Sequence, residues 1–393
     1  MRRFGLWDVT GVFFGGAKLI LGLCGLAGAA IAVFAASEPA DDAAGYLAVT
    51  GPCRLVFPAD HGAHPGYRTE WWYYTGNLVT SEGRRFGYQV TIFRRQIAPP
   101  SDRLDWPQTP SAWRTQQVFL AHIALSDFNG RQHHFAEDVS RGAVGLAGVI
   151  QSDENTAVFL KHWRIDIGPH AHRLQAATEA FSIALDLVPL KGPVLHGDQG
   201  YSRKGDTAER ASCYYSFTRL KTVGRLKLAE KELTVSGLSW MDHEFSSAAL
   251  QPGIVGWDWF SLQMDDGTDM MLYRLRREDG RAHAASSGTL VGADETRRHL
   301  SVADVDLTIL EHWRSPHSGG RYPAAWRVRV PSVDLDLSIA TTLDDQEMRT
   351  SGSTGVTYWE GSVSLTGHIA GQPVKGRGYV ELTGYAKAFE QPL

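Results

Sequence analysis

Trp71-Trp72-Tyr73-Tyr74-Thr75-Gly76-Asn77-Leu78-Val79 leads through Ser81-Glu82-Gly83 into Phe86-Gly87-Tyr88-Gln89-Val90-Thr91-Ile92-Phe93. The second run alternates. Tyr88, Val90 and Ile92 fall on one face and Gln89, Thr91 and Phe93 on the other, which is the period of a strand. Gly83 supplies a tight turn between segments rich in aromatic and β-branched residues. The same order returns at Trp257-Asp258-Trp259-Phe260-Ser261-Leu262-Gln263-Met264, which passes through Gly267 to another apolar run. Both units end in a double arginine, Arg94-Arg95 and Arg276-Arg277. Such a repeat predicts two similar antiparallel β domains, residues 50–236 and 237–393, meeting at Ser236-Gly237. Asn129-Gly130, Asp266-Gly267 and Asp279-Gly280 mark further hairpins. Long amphipathic helical patterns are scarce.

The chain has 393 residues, more than one hydrophobic core usually holds. At 43% hydrophobic and 21% charged it is globular, and its 41 glycines and 12 tryptophans suit strands and tight turns. A formal net charge of −4 offers no polycationic surface, so no nucleic-acid partner is expected. Arg2 and Arg3 precede an apolar stretch from Val12 to Ala36, broken only by Lys18, that turns acidic at Glu38, Asp41 and Asp42. Residues 1–37 therefore read as a cleaved export signal or as a membrane anchor. The remainder is expected in the periplasm or tethered to the inner membrane. Cys53 and Cys213 could pair in an oxidising compartment; two buried thiols are the plainer reading.

Several chemistries are removed by inspection. There is no Gly-x-Ser-x-Gly elbow, no P-loop, no Gly-x-Gly-x-x-Gly and no His-Glu-x-x-His. His133-His134 and His170-x-His172 sit in polar, loop-like sequence, so neither a metal nor another cofactor is expected. What remains is Ser239-Trp240-Met241-Asp242-His243-Glu244-Phe245, followed by Trp257-Asp258-Trp259. In an extended chain Trp240, Asp242 and Glu244 share one face. Two carboxylates beside tryptophan resist joint ionisation, and burial raises the pKa of at least one. A neutral carboxylic acid is what protonation of an alkene or activation of a carbonyl needs. Arg68-Thr69-Glu70-Trp71-Trp72-Tyr73-Tyr74 offers a comparable arrangement, with Arg68 and Glu70 on one face. The competing reading is structural: these acids form buried ion pairs between strands, Arg68 serving Asp242. Residue types alone favour it.

The strings His64-Pro65-Gly66-Tyr67-Arg68-Thr69-Glu70-Trp71-Trp72-Tyr73-Tyr74, Trp240-Met241-Asp242-His243-Glu244-Phe245, Tyr358-Trp359-Glu360-Gly361 and Gly378-Tyr379-Val380-Glu381-Leu382 resemble the AttH/CrtC family from about residue 50 to the end. The resemblance implies an all-β protein of two lipocalin-like, calycin-type antiparallel β-barrels in tandem. The family includes carotenoid 1,2-hydratases and proteins associated with ABC transporters. In the hydratases an Asp upstream of a Trp-Asp-Trp is the proposed acid, and the matching position is Asp242. On this basis the candidate catalytic residues are Asp242 as proton donor, Trp240 as a cation-stabilising ring and Glu244 as a guide for water. The candidate ligand-binding residues are Trp257, Trp259, Asp258, Arg68, Glu70, Trp72 and Tyr74. The hydratases also carry a His-x-Trp. Here the corresponding stretch, Cys213-Tyr214-Tyr215-Ser216-Phe217, has no histidine. That departure points to the transporter-associated branch: an exported carrier of a lipid, isoprenoid or polyene that works with an ABC transporter. A hydro-lyase that adds water to an isoprenoid alkene is the alternative.

Overall fold

The alternating runs pair mostly with their neighbours in sequence, and the result is two antiparallel sheets. The computed structural model describes residues 44–389; the expected signal or anchor, residues 1–37, lies outside them. The first sheet has 13 strands. They are β1 (Thr69–Val79), β2 (Arg85–Gln96), β3 (Gln117–Asp127), β4 (Gln132–Arg141), β5 (Ala147–Gln151), β6 (Thr156–Leu160), β7 (Trp163–Ile167), β8 (His172–Ala177), β9 (Phe181–Pro189), β10 (Val194–Leu195), β11 (Tyr201–Arg203), β12 (Ala211–Leu228) and β13 (Lys231–Ser246). The main path runs β4-β3-β2-β1-β13-β12-β9-β8-β7-β6-β5. The second sheet has 10 strands. They are β14 (Ile254–Met264), β15 (Asp269–Arg277), β16 (Ser287–Val291), β17 (Arg297–Ser301), β18 (Asp306–Arg314), β19 (Arg321–Val330), β20 (Leu335–Thr341), β21 (Glu347–Arg349), β22 (Thr357–Ile369) and β23 (Gln372–Leu382). Its path is β17-β16-β15-β14-β23-β22-β20-β19-β18. The first sheet curls into a nearly closed barrel and the second into a half-barrel.

Both sheets repeat one topology. The opening hairpin pairs its first strand with the last strand of the same sheet, β1 with β13 and β14 with β23. The double arginines acquire a role from this. Arg94 lies opposite Glu70 across the β1–β2 ladder and pairs with it, Nε to Oε2 at 2.7 Å. Arg276, which lies opposite Gly256, reaches diagonally to Asp258, Nε to Oδ1 at 2.8 Å. Each hairpin thus carries a buried acid–arginine pair at one end.

The chain passes from one sheet to the other over residues 247–253. Ser236-Gly237, read from the sequence as a boundary, stands in the middle of β13 instead. Gly237 is there for close approach, because a Cβ on it would overlap the Asn77 carbonyl oxygen of β1. A glycine demanded by strand packing looks in sequence like a linker glycine.

The three largest apolar clusters among the described residues follow from the alternation. One fills the barrel around Trp72, Tyr74, Phe86 and Ile92, and one fills the half-barrel around Phe260, Trp326 and Trp359. The third lies between the sheets and includes Tyr73, Tyr214, Trp240, Trp259 and Tyr379. Polar bridges join the sheets beside it. Asp269 of β15 takes Lys191 at 2.8 Å and Arg219 at 2.7 Å, and the Asn77 side-chain amide donates to the Gly378 carbonyl at 3.2 Å.

Cys53 and Cys213 form a disulfide, which corrects the reading of two thiols. The bond ties the segment before β1 to β12 across 160 residues of sequence. Closing so long a loop removes much unfolded-chain entropy. Replacing both cysteines by serine is expected to cost about 2–5 kcal/mol, read as a lower urea midpoint than that of the oxidised protein.

Candidate functional site

β1, β14 and the second half of β13, residues 239–245, each have two buried faces and send alternate residues in opposite directions. Thr69, Trp71 and Tyr73 of β1, Asp242, Glu244 and Ser246 of β13, and Trp257 and Trp259 of β14 face a cavity between the sheets. Phe93 of β2, Tyr214 of β12, Tyr273 of β15, and Tyr358, Glu360 and Glu381 of β22 and β23 complete most of its wall. The cavity measures about 170 Å³. An apolar cavity of about 150 Å³ is known to hold benzene, so this space suits a compact ligand; a full-length carotenoid would enter only by one end.

The expected residues divide by strand face. Asp242, Glu244, Trp257 and Trp259 lie on the cavity wall. Trp240 sits behind it and donates its indole N–H to Asp242 Oδ1 at 2.6 Å. Glu70, Trp72 and Tyr74, expected to bind ligand, point the other way. Trp72 and Tyr74 belong to the barrel core, and Glu70 is held by Arg94. Asp258 likewise faces the half-barrel interior and pairs with Arg276, while the Tyr385 hydroxyl donates to it at 2.9 Å. Arg68 is not on the cavity wall and is no partner of Asp242. Its guanidinium lies over the Tyr46 ring, and its backbone N–H donates to Ser247 Oγ.

Asp242 is buried and meets only neutral donors. Tyr214 Oη donates to Oδ2 at 2.7 Å, and the Ser216 hydroxyl joins the Trp240 indole at Oδ1. Trp259 Nε1 donates to the same Tyr214 oxygen at 3.0 Å, so two cavity aromatics brace the acid. Burial pushes the Asp242 pKa up to about 7, against the pull of its three donors. Glu244 is different. Lys204 Nζ lies 3.1 Å from its Oε1, and the Ser212 hydroxyl donates to it. Burial would lower the Lys204 pKa, but Glu244 outweighs it and the net shift is upward. One acid is thus neutralised by a cation while the other sits near neutrality between its two protonation states.

Sequence reasoning missed Lys204, Tyr214, Ser216 and the second-sheet acids as site residues. Lys204 lies in a stretch that reads as a polar loop. Tyr214 alternates with core residues in β12, which pairs with β13 in the same sheet, whereas Glu360 lies in β22 and only the packing of the two sheets brings it to Asp242.

His64, Glu70 and His243 place ligand atoms within 4.8 Å of one another. These residue types could hold a metal ion. Here Glu70 Oε1 already takes His64 Nδ1 at 2.7 Å and His243 Nε2 at 2.9 Å, and the Arg94 guanidinium occupies Oε2. A fixed cation on the Glu70 carboxylate makes the cluster an ion-pair network. Histidines expected on the surface are partly inside as well: His172 is buried at the start of β8 beside the Tyr74 hydroxyl, and His133 and His134 lie within β4.

The AttH-like family profile matches residues 48–385. The chain belongs to the AttH-like family. Its sheets superpose on an AttH protein of Nitrosomonas europaea with a TM-score of 0.75 at 34% identity, over 86% of this chain and 100% of that one. Kievitone hydratase of Nectria haematococca shares the fold of this AttH-like protein, with a TM-score of 0.63 at 14% identity over 87% of this chain and 96% of that one. The dehydratase AsqC of Emericella nidulans is 22% identical over 200 residues, 48% of this chain and 54% of that enzyme. The AttH-like chain therefore spans about half the length of that curated relative.

Proposed function

We propose that this AttH-like protein is a hydro-lyase that adds water to, or removes it from, a compact neutral isoprenoid or similar lipophile held between the two sheets. The observation that carries this reading is Asp242: a buried carboxyl, braced by neutral donors, on the wall of a tryptophan-lined cavity. A carboxyl poised near neutral pH gives and takes protons with little driving force lost. The ring faces of Trp257 and Trp259 suit a cationic intermediate. The hydratase and the dehydratase among the similar proteins support the reaction class. The only Lys or Arg on the described wall is Lys204, already paired with Glu244, so an anionic substrate finds no free partner there.

The test uses linalool, a tertiary allylic alcohol, and its dehydration product myrcene, within a panel of neutral terpene alcohols and alkenes in ¹⁸O-water. Turnover incorporates ¹⁸O into an alcohol or changes mass by one water. A second reading, carriage of an apolar ligand to or from an ABC transporter, draws support from the apolar wall. It predicts displacement of the neutral fluorophore N-phenyl-1-naphthylamine by panel members with no ¹⁸O incorporation. Under both readings Trp257→Phe is expected to weaken fluorophore binding about fivefold to tenfold, the loss of roughly 1 kcal/mol of ring contact. We further place the mature protein outside the cytoplasm. The Cys53–Cys213 bond supports this, since such bonds persist in oxidising compartments.

A further inference from the structure

Most buried acids in this fold are matched. Glu70 has Arg94, Asp258 has Arg276, Asp269 has Lys191 and Arg219, and Glu347 takes the hydroxyls of Ser315, Ser318 and Tyr322. Glu360, buried, and Glu381, half-buried, break the pattern. They stand directly opposite each other on β22 and β23, both on the cavity wall, and no ion pair among the described residues includes either. Glu360 Oε1 and the Tyr73 hydroxyl are buried there without a well-aligned hydrogen bond, although Tyr73 and Tyr358 stand close enough to Glu360 to oppose its upward shift. Unmatched buried polar atoms are costly and uncommon, and those that open onto a cavity mark places where a ligand supplies the missing partner.

We propose that Glu360 and Glu381 share a proton and act as a second acid–base unit, facing Asp242 across the cavity and handling the oxygen of the substrate. This rests on the hydro-lyase reading. It also moves a role: the guiding of water falls to this pair and not to Glu244, which Lys204 already neutralises.

Two carboxyls on adjacent strands cannot both ionise cheaply in a buried site. Burial and the Glu381 charge hold the Glu360 pKa well above the carboxylate range, and burial with the charges of Asp242 and Glu244 lifts Glu381 to about 7. The other titratable groups facing the pair are Tyr73, Tyr358 and Tyr379, whose phenols stay neutral because burial raises them further. The pair therefore keeps at least one proton at neutral pH, and it carries a negative charge once Glu381 ionises near pH 7.

The chemistry balances with these groups alone. In hydration, protonated Asp242 gives its proton to an alkene carbon: a C–H bond forms, the C=C π bond breaks and the adjacent carbon becomes cationic. A water oxygen bonds to that carbon, and one of its protons passes to the singly protonated pair. Asp242 ends as a carboxylate, the pair ends fully protonated, and one proton returns through solvent before the next cycle. Dehydration runs the same steps in reverse, with the pair protonating the leaving hydroxyl.

The experiment combines carboxyl titration with turnover. Protein labelled with ¹³C at the glutamate side-chain carboxyls is titrated by NMR as wild type, Glu360→Gln and Glu381→Gln. The wild type is expected to show two carboxyl signals that titrate near or above pH 7 and disappear one in each variant. In Glu381→Gln, which removes the charge that raises Glu360, the Glu360 signal moves down by at least one pH unit. Both signals titrating below pH 5, or a Glu360 signal unmoved in Glu381→Gln, overturns the shared proton. In the ¹⁸O assay each variant is expected to slow exchange about 10²-fold while Asp242 still titrates near neutrality. Wild-type rates in both variants overturn the catalytic role of the pair and leave the hydro-lyase reading standing. A wild-type protein that exchanges nothing across the panel overturns the hydro-lyase reading and with it the role in turnover, and the titration alone then decides the shared proton. The titration range is read in the wild type and the coupling in Glu381→Gln, with Glu381→Leu taking its place if the first does not fold.

Discussion

Asp242→Asn is expected to lower turnover in the ¹⁸O assay by about 10²–10⁴-fold while leaving the fold and fluorophore binding intact. Asparagine keeps an acceptor for Ser216 and Trp240 and offers an amide to Tyr214, but it carries no exchangeable acid proton. The stability effect has the opposite direction from that of a broken ion pair. The Asp242 pKa is about 7 in the folded chain against an ordinary 3.8, so between those values the folded state binds more protons than the unfolded one. Stability therefore falls as pH rises from about 4 to about 7 and stays lowered above that. Asparagine removes this dependence. The variant is expected to be more stable than wild type at pH 8, by roughly 2 kcal/mol once weaker hydrogen bonds are set against the relieved charge, and to show little gain at pH 4. Urea unfolding at the two pH values reads this out. A variant destabilised by several kcal/mol at pH 8 would mean that Asp242 neutralises a buried cation.

Arg94→Met is expected to be among the most damaging substitutions to stability. Arg94 is fully buried; its Nε meets Glu70 at 2.7 Å, and another guanidinium nitrogen donates to the carbonyls of His64 and Tyr67 at 2.9 Å each. Removing it leaves a buried carboxylate without its fixed cation, at a typical cost of about 3–5 kcal/mol. Glu70→Leu combined with Arg94→Met is expected to recover part of that loss, because two apolar groups leave no charge stranded. The cluster also carries a pH signature. Burial opposes protonation of His64, but its bonds to Asp60 and Glu70 raise its pKa to about 9 from an ordinary 6.5. The stability this contributes is complete below pH 6.5 and is lost as pH rises through 9. Glu70→Gln should flatten that alkaline loss. A double variant no more stable than Arg94→Met alone would show that packing, and not the stranded charge, dominates at this site.

The strand periods, the hairpin glycines and the repeated hairpin with its double arginine were all readable in the chain, because they are local. What was not readable was which face of β1, β13 or β14 is which. Alternation separates inside from outside only when one face is wet, and these strands are buried on both sides. Glu70 and Asp258, each next to a cavity-facing tryptophan, therefore look like site residues and turn out to be ion-pair residues. The structural alternative weighed from the sequence holds for these two acids, with Arg94 and Arg276 as partners in place of Arg68. It does not hold for Asp242, which no arginine reaches. The union of Asp242 with Glu360 and Glu381 in one cavity depends on how two sheets pack, and no local pattern records that.

The central claim is that Asp242 exchanges a proton near neutral pH inside the cavity. Protein labelled with ¹³C at the aspartate carboxyls, titrated beside Asp242→Asn to assign the signal, tests it directly. One aspartate signal is expected to titrate near pH 7 and to be absent from the variant. An Asp242 signal that titrates near the ordinary 3.8 would contradict it.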